Sequence, residues 1–135
     1  MTPVGFTTPL DARLLADGKW RLIEPFVYYR TNNTGDRVLV FEGFVTDFAS
    51  IPKIFRNLID IVGRHGKAAV IHDFLYFSGK RSRKEADDIF LEGMVVLQVG
   101  YFKRYAMYWG VRSFGWAAWN EHRKRKENWK EYQVL

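Results

Sequence analysis

Five side chains in the run GRHGKAAVIHDFLYFSGKRSRKEADDIFLEGM at 63–94 have types and spacing that could do chemistry: His72, Asp73, Tyr76, Asp87 and Asp88. If this run forms two helices, His72 and Tyr76 stand four residues apart on one face of the first, while Asp73 points about 100° away around the axis. An imidazole near carboxylates, set among Ala69, Val70, Ile71, Phe74 and Leu75, is an environment that can bring a His or Asp pKa into the working range of an acid-base or metal site. The plainer reading is a core histidine satisfied by one hydrogen bond. On the second helix Asp87 is one turn from Phe90, which pins that side inward, so Asp87 is the expected partner of His72 and Asp88 is expected to face water. Upstream, Asp47 lies in a polar break of GFVTDFASIPK. Turn and cap chemistry explains Asp47 and Ser50 on local grounds. If Asp47 instead converges on His72 with Asp87, the two carboxyls need a proton, a metal or a substrate to share.

The elements that must position these groups read as α+β. WRLIEPFVYYR and DRVLVFEGF, within 20–44, are rich in β-branched and aromatic residues and are separated by TNNTG, the pattern of a β-hairpin. Pro25 cannot donate to a ladder and belongs at an edge or bulge of the first strand. Ser50 caps, and Pro52 opens, a short helix ending near Asp60. Gly66 opens the central helix, expected over 67–77, and SGKRS turns out of it. Ser82 with Glu85 three residues on is a capping box, and Ala86, Ile89, Phe90, Gly93, Met94 and Leu97 give that helix an apolar face. The last third reads as a long helix bent near Gly110 or Gly115. Its aromatic stripe, including Tyr101, Tyr105, Tyr108, Trp109 and Trp116, is more often core or interface than a lipid or nucleobase platform. The expected architecture is one domain over 1–135: an N-terminal β-hairpin or small antiparallel sheet packed on three or more helices, with a long aromatic C-terminal helix.

A chain of 135 residues can bury one core without staples. It contains no cysteine, which excludes disulfides, thiolate zinc sites and a cysteine nucleophile. The net charge of +6 favours an anionic partner, whether phospholipid or another anionic surface, a phosphorylated ligand or nucleic acid, though charge of this size also serves solubility. Nucleic acid is the weaker expectation, because no recognised motif accompanies the charge. MTPVGFTTPLDARLL shows no secretion signal, and apolar tracts are interrupted by Glu92, Lys103, Arg104 and Arg112 before a transmembrane segment is reached.

Two resemblances arise at these residues. From GFVTDFASIP through AAVIHDFLY, SRKEADDIF and VRSFG, the chain resembles an uncharacterised family of small bacteriophage and prophage proteins, a domain of unknown function. That likeness implies phage origin, other phage proteins as partners, and the host cytoplasm or virion as location. More narrowly, AAVIHDFLY followed by ADDIF resembles the two catalytic helices of the calcium-dependent His-Asp phospholipase A class, especially its disulfide-free parvovirus form. This second likeness implies His72 as the base that orients a nucleophilic water, Asp87 and Tyr76 as its supports, and Asp73 as a calcium ligand. Calcium takes six or more oxygens, so Asp47 or nearby carbonyls would complete the set. The functional expectation is a phospholipase-like or ester hydrolase. The alternative is a non-enzymatic virion or host-takeover protein in which the same residues form a buried polar network. Access separates the two, because an enzyme needs His72 to line a pocket and a structural network seals it.

Overall fold

Pro25 decides how the N-terminal strands are laid out. The computed structural model describes residues 4–31, 35–46, 51–52 and 65–134, with side chains in the last stretch described for 66–125. Over 20–30 the chain was expected to run as one strand; instead it bends at Ile23 and Glu24, and Pro25 stands between β3 (Trp20–Leu22) and β4 (Phe26–Tyr29). A residue without an N–H cannot continue the ladder, so the two halves enter different sheets. β4 pairs antiparallel with β5 (Arg37–Val40), Phe26 opposite Val40 and Tyr29 opposite Arg37, and β1 (Gly5–Phe6) adds to the other side of β4. β3 lies between β2 (Ala12–Leu14) and β6 (Val45–Thr46), both antiparallel to it. The expected hairpin is therefore present as β4–β5, inside one of two small three-stranded sheets.

Alternation gives β4 and β5 one inward face, with Phe26, Tyr28, Val38 and Val40 buried. That face packs on α1 (His65–Ser78), which is apolar nearly all round and is buried on both sides. Val70, Ile71 and Leu75 join the sheet core, while Ala68 joins Ile51, Phe90, Met94, Met107 and Val111 in a second cluster on the helical side. α2 (Arg83–Val96) starts where the sequence marks it: Ser82 Oγ accepts from the Glu85 N–H at 3.1 Å. The Glu85 carboxylate goes to Arg81 at 3.0 Å. α3 (Tyr101–Phe114) and α4 (Trp116–Val134) meet at Gly115, so the long C-terminal helix is jointed at one of the two glycines expected to bend it.

A lattice of ion pairs clamps the hairpin onto α2. Arg81 grips Asp36 at 2.7 and 2.9 Å, Arg30 reaches Glu92 at 3.1 Å, and the Tyr28 hydroxyl donates to Glu92 at 2.6 Å. Of the short helix expected from Ser50 to Asp60 only Ile51 and Pro52 are described, neither of them helical, and the rest lies outside the described residues.

Candidate functional site

α1 supplies His72 and Tyr76 one turn apart, and α2 supplies Asp87 in its second turn, where the Ser82 cap fixes its facing. The three meet. His72 Nε2 lies 2.7 Å from Asp87 Oδ1, and the Tyr76 hydroxyl donates to the same oxygen at 2.7 Å. Asp87 Oδ2 accepts from Arg112 at 2.8 Å and from Arg83 at 3.3 Å. Arg83 also donates to the main-chain carbonyls of Val111 at 2.9 Å and Arg112 at 3.2 Å, which binds the start of α2 to the end of α3. His72, Tyr76 and Asp87 are all 0% exposed. The imidazole is flanked by the Tyr76 ring, 4.3 Å between centroids, and the Phe90 ring at 4.6 Å.

Burial alone would raise the Asp87 carboxyl pKa, but the hydrogen bond and field of His72, with the bonds from Tyr76 and Arg112, outweigh it and hold the group below the usual carboxylate range. Asp87 is thus ionised at neutral pH and can only accept, so the facing Nε2 of His72 carries a proton. Burial, then the Asp87 charge and hydrogen bond, push the Tyr76 hydroxyl well above its ordinary pKa and keep it a donor. The arrangement orients an imidazole firmly and satisfies one buried carboxylate with donors from three helices.

Asp73 goes elsewhere. It is 3% exposed, and its Oδ2 accepts from the Thr46 hydroxyl of β6 at 2.5 Å. Asp88, expected in water, is only partly exposed: Tyr108 donates to it at 2.6 Å and Lys84 at 2.7 Å. Asp47 lies outside the described residues. Both Asp87 oxygens are held by protein donors, Oδ1 by His72 and Tyr76 and Oδ2 by two guanidiniums, and among the described residues no group of three His, Asp or Glu could hold a metal ion.

Sequence reasoning missed Arg83 and Arg112 as ligands of Asp87, Thr46 as a partner of Asp73, and the packing of Gly115 against Tyr76. Arg83 was findable, since it stands four residues before Asp87 on one helix. Gly115 was not: a Cβ there would sit 2.5 Å from the Tyr76 hydroxyl, a crowding that exists only once the α3–α4 joint is laid against α1.

Residues 20–111, from β3 to α3, match a family described as a protein of unknown function (DUF1353). The chain belongs to this family. His72, Asp73, Tyr76, Arg83 and Asp87 fall within the matched stretch, whereas Arg112 and Gly115 lie just beyond it. An uncharacterized protein, y4jT, of Sinorhizobium fredii is 36% identical over 75 residues, which cover 54% of this chain and 22% of that relative. The match therefore spans about a fifth of the length of the curated relative. No solved structure matches the chain.

Proposed function

We propose that this DUF1353 protein is a non-enzymatic phage-encoded virion or host-takeover component, in which the network around Asp87 fixes how α1, α2 and α3 pack. One observation carries the reading: His72, Tyr76 and Asp87 are all 0% exposed, and both Asp87 oxygens are occupied by protein donors. A general base needs a water and a substrate atom within hydrogen-bond reach, and the described residues enclose His72 between two rings instead. What supports the phage assignment is the run of motifs from GFVTDFASIP to VRSFG. The proposed location is the host cytoplasm or the virion. Among the described residues no helix is long and apolar enough to cross a membrane.

A second reading is favoured by a different observation. His72 and Tyr76 converge on a single Asp87 oxygen at 2.7 Å each, as a His-Asp hydrolase uses a carboxylate to hold its base. In that reading His72 is the base, Asp87 and Tyr76 position it, and the substrate is a phospholipid or short-chain ester.

Turnover and stability, measured together, decide between them. The structural reading expects no product from phosphatidylcholine or a p-nitrophenyl ester, with or without calcium, and a lowered melting temperature for His72→Ala. Hydrolysis by the wild type that His72→Ala abolishes at unchanged melting temperature would overturn it.

A further inference from the structure

We infer that the outer face of α3, continued into the first turn of α4, docks on an anionic phospholipid bilayer. This rests on a surface that the Asp87 network does not use, and it stands independently of the function proposed above. Phe102, Trp109 and Trp116 recur at seven-residue intervals and are 87%, 61% and 57% exposed. Gly115 keeps helical angles, φ −71° and ψ −13°, and the bonds from Gly115 N to Val111 O and from Trp119 N to Gly115 O run through the joint. The spacing therefore holds one stripe on one side of the paired helices. Ala106 and Ser113, between those rings on the same side, are exposed too, and the stripe carries no charge. The opposite side of α3 is the buried one, with Met107, Gly110 and Val111.

Charge selects the occupant. Between Glu92 and Glu121 the chain has no carboxylate, while it has Lys103 and Arg104 besides the Arg112 that Asp87 already holds. Arg104, half-buried and donating to Val99 O at 3.2 Å, stacks its guanidinium on Tyr101 and Tyr105, 5.4 and 5.6 Å from the ring centroids, which adds a fixed positive charge to the start of α3. Lys124 stands exposed further along α4. Two copies of such a face would bring like charges together, which disfavours a self-complementary dimer. Phe, Tyr and Trp in place of Leu and Ile suit the headgroup level, where an amphipathic ring meets both water and acyl chain. Bases could stack on the same rings, but single-stranded nucleic acid is gripped in positively charged grooves, and the stripe itself carries no charge.

The test is co-sedimentation of the full chain with vesicles of mixed phosphatidylglycerol and phosphatidylcholine, beside vesicles of phosphatidylcholine alone. The wild type should pellet with the anionic vesicles and leave most protein in solution with the neutral ones. Phe102→Ser with Trp109→Ser should weaken binding by about tenfold or more, since each removes a large apolar group from the contact. Circular dichroism of that variant should be unchanged, because both positions are exposed. Lys103→Glu should weaken binding without touching the rings. Equal pelleting of wild type and double variant would overturn the proposal. So would absence of binding to the anionic vesicles, whether the face then proves to hold a second copy, by a dimer that the double variant disperses, or an oligonucleotide.

Discussion

Asp87 is the residue on which three helices depend. Asp87→Ala should destabilise the protein by about 3 to 5 kcal/mol, because it leaves two guanidiniums and a tyrosine facing an emptied buried site. Urea denaturation measures this. Tyr76→Phe removes one donor from a carboxylate that keeps its others, and about 1 kcal/mol is expected. Gly115→Ala tests the same site from behind. With its Cβ 2.5 Å from the Tyr76 hydroxyl, the variant should push the ring from Asp87 and cost more than Tyr76→Phe, despite the higher helix propensity of alanine. A Gly115→Ala protein as stable as the wild type would mean that Tyr76 is not held where the structure puts it.

At the scale of elements, the connections carry the strain and the helices carry little. The turn from α2 into α3 places Gln98 at φ 60°, a left-handed conformation that a residue with a Cβ adopts at some cost. Its neighbours fix it there: the Gln98 N–H donates to Val95 O at 3.0 Å and the Val99 N–H to Met94 O at 2.9 Å. Gln98→Gly should therefore stabilise by about 0.5 to 1 kcal/mol, read as a raised melting temperature. Gly79, at φ 63° after α1, shows the opposite case. A Cβ there would lie 2.5 Å from the Arg123 guanidinium, which donates to the Phe77 carbonyl at 2.9 Å and closes α4 over the end of α1. Gly79→Ala combines backbone strain with that collision and should lower the melting temperature by several degrees.

For the whole molecule the carboxylates set the acid limit. Hydrogen bonds and charge from Arg81 hold Asp36 below the ordinary carboxylate range, and for Asp87 and Glu92 burial acts the other way but is outweighed by their donors. A depressed folded pKa means that the unfolded chain binds more protons between the two values, so stability rises with pH across that window. The contribution is complete above the unfolded value of about 4 and is lost as pH falls through the depressed folded values. The urea midpoint should be flat from neutrality to about pH 5 and fall below it. In Asp87→Asn that fall should be shallower. An equally steep fall in the variant would assign the acid sensitivity to the other depressed carboxylates, Asp36 and Glu92, which pin the hairpin to α2, and Asp88, which Lys84 and Tyr108 hold.

The sequence alone determined the features that depend on neighbours in the chain. Ser82 caps α2 whatever surrounds it, the TNNTG pattern marks the connection between two strands that do pair, and four-residue spacing puts His72 and Tyr76 on one side of α1. The pairing of Asp87 with His72 was legible too, because Phe90 marks the inward side of α2. Tertiary structure alone decided the rest. Pro25 could be seen to interrupt a strand, but that its two halves would join different sheets depended on partners from 5–14 and 45–46, segments too short to carry a periodic signal. Whether His72 opens to solvent or is enclosed was not written in HDxxY, since burial is set by how closely Phe90 and the crossing helices approach it. Arg112 became a ligand of Asp87 only when α3 was laid on α2, and Gly115 a necessity only when α4 was laid on α1, because contacts between distant segments follow from packing and not from local spacing.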